Sequence, residues 1–403
     1  MPEVEWLEGG VTAVPGILAA GIHGGIKAGG KPDLALVYSS VPAAAAAVFT
    51  TNRIQGAPIK VSREHLKGGA AQAIVASSGN ANVATGEQGV EDALEMAQLV
   101  AAALRIPVGR VLVASTGIIG QPLPMEKIRA ALPKLVKALS PQGSRHAAEG
   151  IMTTDPHPKE AALRVEIGGR PITLGGIAKG AGMVHPRMAT MLCFLATDLA
   201  IAQDALQAAL RRAVAGSFNR ISVDGDRSTS DTVFALANGL AENRPVRRGG
   251  RGFRAFQQAL ETLAQRLALM LVRDGEGATR IVEVQVRGAR SRRDAEVAAR
   301  AIANSLLVKT ALAGEDPNWG RVIAALGASG AAVEEDRVAL WFGDEQVVAG
   351  GRLREGALRE RMKAELAKKE VLIQVDLGLG HARDRIWTCD LTEEYVKINT
   401  RYS

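Results

Sequence analysis

An α/β or α+β fold is predicted by three features of the sequence. Short apolar runs bounded by turn residues fill the first half, helical periodicity alternates with strands in the second, and the composition is that of a folded globular chain. Of the 403 residues, 47% are hydrophobic and 23% charged, which argues against a disordered chain and allows a large core. Aromatic residues make up only 3%, so that core must be assembled from Ala, Val, Leu and Ile.

Residues 34–40, 47–51, 73–78 and 111–115 are β-rich runs ending at Gly, Asn, Ser or Pro. Apolar residues three and four apart predict a helix over 90–104 and another over 124–139. Pro124 stands in the first turn of the second, where its missing N–H breaks no bond. Strands over 162–167 and 172–178 lead into the bend Lys179-Gly180-Ala181-Gly182 and a further strand over 189–196. Helices are predicted over 204–215, 255–272, 294–312 and 353–368, with Asp204 and Asp294 placed as N-caps. Strands over 281–286, 339–342 and 371–377 alternate with them, and the Arg/Gly-rich stretch 244–254 reads as an exposed loop.

The formal net charge of +7 suits either nucleic acid or small anionic substrates. Lys and Arg are spread along the chain, and aromatic residues are too few for a base-stacking platform, so no nucleic-acid partner is expected. Cys193 and Cys389 lie in apolar surroundings and make no disulfide scaffold, which points to a reduced, cytoplasmic protein. The start, Met1-Pro2-Glu3-Val4-Glu5-Trp6, has no basic and apolar signal pattern, and no run of about 18 apolar residues predicts a membrane span. Zinc-binding His-Glu-x-x-His and paired Cys-x-x-Cys, the Walker phosphate loop and Gly-x-Ser-x-Gly are all missing. The six histidines are scattered, and a triad assembled in space stays open. Taken alone, Asp274-Gly275-Glu276-Gly277 reads as a tight turn.

One segment has a layout suited to chemistry. From Lys179 to Phe194 a Gly-rich bend and Pro186 precede the small pair Ala189-Thr190, and an apolar strand follows at once. The Thr190 hydroxyl could attack the Ala189 carbonyl, and hydrolysis of the resulting ester would free the Thr190 α-amine. Such an amine has a pKa of about 7.7–8.0 and serves as a base near neutral pH, whereas an isolated threonine hydroxyl is a poor nucleophile. From pattern alone, Thr190 as an ordinary strand threonine remains the competing reading.

The whole chain resembles the glutamate N-acetyltransferase (ornithine acetyltransferase) family. The family's cleavage motif matches Lys179–Leu192, with Ala181 in place of the usual Ser. Further matches run in order: Ala19-Ala20-Gly21 with Gly25-Ile26-Lys27, Phe49-Thr50-Thr51-Asn52, Ser78-Gly79-Asn80-Ala81-Asn82, Ser115-Thr116-Gly117-Ile118-Ile119-Gly120 and Ile151-Met152-Thr153-Thr154-Asp155. Beyond the cleavage motif come Asp224-Gly225-Asp226, Ser228-Thr229-Ser230-Asp231-Thr232, Asp274–Thr279, Gly314–Arg321 and Tyr395–Asn399.

The resemblance implies a self-cleaving N-terminal-nucleophile-like α/β sandwich, shared with self-cleaving aminopeptidases, and a smaller second domain. It implies an α chain of residues 1–189 and a β chain of residues 190–403, associated as a heterotetramer. Thr190 would be the nucleophile, and Thr116 with Gly117 the oxyanion hole. Thr153, Lys179, Glu276, Asn399 and Ser403 would contact substrate, with Lys179 on an α-carboxylate and Glu276 on the ornithine ammonium. Contacts from the last residues imply an ordered C-terminal segment.

The implied reaction is ping-pong transfer of acetyl from N2-acetylornithine to L-glutamate in arginine biosynthesis, with no metal or dissociable cofactor. Some members of the family also accept acetyl-CoA as co-substrate, which the residues leave open. An N-terminal-nucleophile hydrolase of the same fold and a non-catalytic basic binding protein are the competing functions.

Overall fold

The computed structural model describes residues 3–185 and 191–401. Two compact units are present: Met1–Asn219 with Asp226–Leu271, and Arg220–Gly225 with Val272–Ser403. The second and smaller unit is drawn entirely from residues beyond 190.

The first unit holds strands β1 (Val4–Leu7), β2 (Ile17–Ile22), β3 (Leu34–Phe49), β4 (Ala70–Asn80), β5 (Val111–Ile118), β6 (Lys159–Ile167), β7 (Arg170–Lys179), β8 (Leu192–Thr197) and β9 (Thr232–Ala237). Its helices are α1 (Ala57–His65), α2 (Gly86–Leu104), α3 (Met125–Lys137), α4 (Ser144–Ile151), α5 (Gln203–Gly216) and α6 (Phe253–Arg273), whose last residues pass into the second unit. Among the described residues the nine strands form one sheet in the order β1-β6-β7-β8-β9-β3-β4-β5, with β2 on β3.

Strand β3 makes that sheet fold on itself. Its first half pairs with β4 and its second half with β9, and the register on β4 shifts between Tyr38 and Ala43. Pro42 lies inside this shift, where a residue without an N–H is tolerated. Alternation along the strands then divides two cores. Leu34, Leu36, Ala73, Val75, Val111 and Val113 face helices α2 and α3, represented by Met96, Val100, Ile128 and Leu132. The intervening Ala35, Val37, Ile74, Ala76, Leu112 and Ala114 face inward, in one cluster with Ile177, Leu192, Phe194, Phe234 and Leu236 from the other half. This is the sheet-on-sheet packing of a sandwich. Phe194 stacks on Phe234 at 5.9 Å, one of few aromatic anchors in a core otherwise built from small aliphatic residues.

Two pairs in the sheet are parallel, β4 with β5 and β8 with β9. Each is joined by a connection containing a long helix, α2 and α5, as a parallel crossover requires. On the outer side α6 packs closely on β7 at Gly176, where an added Cβ would stand 3.0 Å from Leu267 Cδ1.

The second unit has strands β10 (Ile281–Ala289), β11 (Ala339–Phe342), β12 (Glu345–Ala349), β13 (Arg352–Leu353), β14 (Glu370–Asp376) and β15 (Ala382–Cys389), in the order β13-β12-β11-β14-β10-β15. Its helices are α7 (Arg292–Asn304), α8 (Leu306–Ala313), α9 (Trp319–Gly327), α10 (Arg359–Leu366) and α11 (Glu393–Asn399). Val282, Val284 and Val286 of β10 point inward in one core with Ala295, Ala298, Ala299 and Ile302 of α7.

Several elements differ from the pattern reading. The runs 34–40 and 47–51 are one strand, because the Ala-rich stretch between them continues in extended form. The single helix over 294–312 is two, broken at Ser305, whose hydroxyl accepts from Val308 N and caps α8. Ser291 is the N-cap of α7, with Asp294 in its first turn, and Asp204 likewise lies inside α5 rather than at its cap. Pro124 caps α3 instead of entering it. Residues 353–368 open with a strand and a turn at Gly356 (φ +80°), so the helix there is only α10. Residues 244–252 do form an exposed loop, and α6 begins at Phe253.

Candidate active site

Pairing register gathers charged residues at one end of the sandwich sheet. Lys159 opens β6 opposite Ala178 of β7, Lys179 closes β7 opposite Leu192, and Leu192 pairs with Thr232 of β9. Met191 and Asp231 precede those last two residues.

Asp155 is the hub of this end. Its Oδ1 accepts from Lys159 Nζ at 2.8 Å and from Gly180 N at 2.6 Å, and its Oδ2 accepts from Thr153 N at 3.0 Å. Lys179 Nζ lies 3.6 Å from Oδ2 and donates to Thr153 Oγ1 at 2.7 Å. Both lysines and the aspartate are almost completely buried. Burial opposes ionisation of Asp155, but the Lys179 and Lys159 charges outweigh it and hold the carboxyl well below the usual range. Two ammonium groups share this carboxylate, so the cluster carries an excess positive charge suited to a substrate carboxylate.

Lys27 adds to that field. Its Nζ donates to Pro32 O and Met152 O, both at 2.6 Å, while Asp33 accepts from the backbone N–H groups of Ile26 and Lys27. Burial lowers the Lys27 pKa to about 8, against the opposing pull of Asp33.

Thr116 and Gly117 stand near the end of β5, in register with Ser78 and Gly79 of β4. Gly117 has φ +131°, and a Cβ there would lie 2.2 Å from the Gly79 carbonyl carbon. Only glycine permits this approach. The Thr116 hydroxyl is buried, and among the described residues its oxygen has no hydrogen-bond partner. A buried polar group left unmatched in this way is a rarity that calls for a role.

Asp231 is fully buried between Ser230 and β9. Its Oδ1 accepts from Met191 N at 3.0 Å, and Oδ2 has no partner among the described residues. Burial pushes this carboxyl up to about 8, although the Met191 N–H and the Ser228 and Thr50 hydroxyls favour its ionised form. Burial also pushes the Cys193 thiol up, which fits an inert core residue.

In the second unit Glu276 and Asn399, far apart in sequence, come together. Asn399 Nδ2 donates to Glu276 Oε2 at 2.6 Å and to Tyr395 O at 2.9 Å. The turn carrying Glu276 is tied to the chain entering α11 by Thr392 Oγ1, which donates to Gly277 O at 2.7 Å. Gly277 has φ +69°, and a Cβ on it would meet Tyr395 N at 2.6 Å. The segment through Asn399 is therefore a helix docked on the Asp274–Thr279 motif, while Tyr402 and Ser403 lie outside the described residues.

Of the residues singled out from sequence, the structure brings Thr153 to Lys179, sets Thr116 beside Gly117, and brings Glu276 to Asn399. Ala189, Thr190 and Ser403 lie outside the described residues. Asp155 and Asp231 were visible only as members of matching motifs, and Lys159 not at all.

A model of the ArgJ family matches residues 18–403. The arginine biosynthesis bifunctional protein ArgJ of Symbiobacterium thermophilum is 52% identical over 402 residues, covering 99% of this chain and 100% of its own length. That of Geobacter sulfurreducens is 48% identical over 389 residues, covering 96% and 99%. Among solved structures, the arginine biosynthesis bifunctional protein ArgJ of Bacillus halodurans is 40% identical and covers 47% of this chain and 100% of its own, with a TM-score of 0.45. Ornithine acetyltransferase of Mycobacterium tuberculosis, complexed with ornithine, is also 40% identical, covering 46% and 98% with a TM-score of 0.43. Matched by the family model from residue 18 to its end, and by curated relatives over nearly its whole length, this chain belongs to the ArgJ family.

Proposed function

We propose that the chain transfers acetyl from N2-acetylornithine to L-glutamate by a ping-pong route through acetyl-Thr190, within arginine biosynthesis. The observation that carries this reading is the buried, unmatched Thr116 hydroxyl beside Gly117, whose φ of +131° and close approach to Gly79 admit only glycine. A hydroxyl and a backbone N–H held rigidly suit the oxyanion of a tetrahedral intermediate, and such donors are worth about 10²–10³ in rate.

The chain cuts itself between Ala189 and Thr190, giving an α chain of residues 1–189 and a β chain of residues 190–403 that remain associated as a heterotetramer. The freed α-amine takes the proton of the Thr190 hydroxyl as that oxygen attacks the acetyl carbonyl. The C–N bond of N2-acetylornithine breaks, and the same proton passes to the departing ornithine nitrogen. Glutamate then takes the acetyl group by the reverse sequence. Lys179 and Thr153, set by Asp155, bind the substrate carboxylate; Glu276, bonded to Asn399, binds the ornithine ammonium, and Ser403 adds a contact. Acetyl-CoA serves as a second acetyl donor, a reading supported by the name bifunctional carried by the curated relatives.

Intact mass and N-terminal sequencing of the wild type beside Thr190→Ala test the scheme. The expected result is two wild-type chains, the second beginning Thr-Met-Leu-Cys, and a single chain in the variant with no transfer. An uncut wild type that still transfers acetyl would sink the proposed base. Initial rates against both substrates should give parallel lines, and intersecting lines would require a ternary complex instead.

A further inference from the structure

We infer that Lys27 is the cation that receives the side-chain carboxylate of glutamate, fitting one site to a second substrate of opposite side-chain charge. The inference rests on the proposed transfer to glutamate. Ornithine ends its side chain in an ammonium and glutamate in a carboxylate. Glu276, assigned to the ornithine ammonium, would repel that carboxylate, and Lys179 is assigned to the α-carboxylate common to both substrates. A further cation is therefore required, close to Lys179 and with its charge unspent.

Lys27 meets both conditions. An ammonium has three N–H donors. Two of those on Lys27 go to the Pro32 and Met152 carbonyl oxygens, each at 2.6 Å, and the third has no partner among the described residues. Nor does Lys27 form an ion pair among those residues. The Asp33 carboxylate beside it is spent on backbone, accepting from the N–H groups of Gly24, Ile26 and Lys27 itself. Lys159, by contrast, is paired with Asp155 at 2.8 Å. Two neutral carbonyls thus hold the Lys27 ammonium in place without cancelling its charge, and a carboxylate would complete its donor set with a charge-assisted bond.

The fold sets Lys27 against both halves of the site. Met152, whose carbonyl it holds, precedes Thr153, the acceptor of the Lys179 bond. Its stem runs beside Gly79, where an added Cβ would stand 3.3 Å from Lys27 Cγ, and Gly79 is the register partner of Gly117. Lys27 therefore bridges the strand pair that carries Thr116 and Gly117 and the loop that carries Thr153. It is half-buried, and the Lys179 and Asp155 charges both act on it.

Lys27→Gln keeps N–H donors for the carbonyls and removes the charge. In ping-pong transfer kcat/KM for each substrate belongs to its own half-reaction, so the two can be scored separately. The expected result is that kcat/KM for glutamate, relative to that for N2-acetylornithine, falls at least tenfold, while glutamine as acceptor loses no ground on the same scale. A smaller fall overturns the inference, as does an equal fall for glutamate and glutamine, which would mean a role in packing or on the α-carboxylate. If K27Q does not accumulate as folded protein, the wild type decides by pH. Burial lowers Lys27 to about 8; Asp33 and Asp155 oppose the shift, and Lys179 and Lys31 add to it. His23 lies on Asp33 at 3.3 Å. The kcat/KM for N-acetylglutamate as donor to ornithine, divided by that for N2-acetylornithine as donor to glutamate, should fall as pH rises from 7 to 9. Asp231 and the Thr190 α-amine titrate in the same range but serve both donors alike, so they cancel in the ratio. A flat ratio rejects the inference. A wild type that transfers no acetyl would break the proposed function and this inference with it, whereas a failed variant leaves the function standing.

Discussion

Asp155 and Asp231 are both buried carboxyls in the same unit, and their surroundings pull them in opposite directions. Asp155 has two lysine ammonium groups within 4 Å and accepts two backbone N–H bonds, so it is held ionised. Asp231 has one backbone N–H, with hydroxyls near it and no ion pair among the described residues, so burial prevails. The difference shows that burial depth does not decide the state of a group here. The number of charges brought to it does, and that number is set by strand register: Lys159 and Lys179 reach Asp155 because one begins and the other ends a strand at the same end of the sheet.

The largest way to break this contrast is Asp155→Asn. It leaves two buried ammonium groups without their counter-charge, and removing one partner of a buried pair costs about 3–5 kcal/mol. D155N should therefore melt far below the wild type, with transfer activity lost in whatever remains folded. Thermal unfolding followed by circular dichroism checks it. A melting point near that of the wild type would mean that the lysines are neutral or solvated, and the hub reading would fail.

A smaller effect separates the two lysines. Lys179 also bonds Thr153, whereas Lys159 bonds Asp155 and the His157 carbonyl. Lys179→Met should lower kcat/KM for N2-acetylornithine about a hundredfold, roughly the 2–3 kcal/mol of a charge-assisted contact. It should spare an analogue with a neutral amide in place of the α-carboxylate. Lys159→Met should lose stability and keep that discrimination. Equal discrimination by K179M and wild type would remove Lys179 from the substrate.

How much of this was legible in the sequence differs between fold and site. Alternation placed β4, β5, β6 and β7 closely, because each is an apolar run closed by turn residues. It failed at β3, where Ala43–Ala47 carries no size alternation to report direction, and at Ser305, where a helix pattern continues across a hydroxyl that caps a second helix. The site was legible through ordered motifs and not through physics. Nothing local distinguishes Lys159 or Lys179 from a solvated lysine, because their burial depends on strands brought together by register. Glu276 and Asn399 likewise meet only once the C-terminal helix docks on a turn more than a hundred residues earlier. The glycine at 117 is the exception in kind: a strand-ending Thr-Gly hints at a turn, but only the approach of Gly79 explains why no side chain fits.

The smallest effect is also the one that reads the two aspartates separately. An unfolded aspartate titrates near 3.9. Asp155 is depressed in the fold, so its stabilisation is complete above that value and is lost as pH falls below it. Asp231 is raised to about 8, so between pH 4 and 8 the folded state holds a proton that the unfolded state has released. Its contribution therefore favours the fold at low pH, declines as pH rises through that window, and is flat beyond it. Asp231→Asn cannot titrate, so the melting temperature of D231N relative to wild type should climb from pH 5 to pH 8. Parallel curves over that range would mean that Asp231 is ionised in the fold like Asp155, and the contrast between the two carboxyls would be gone.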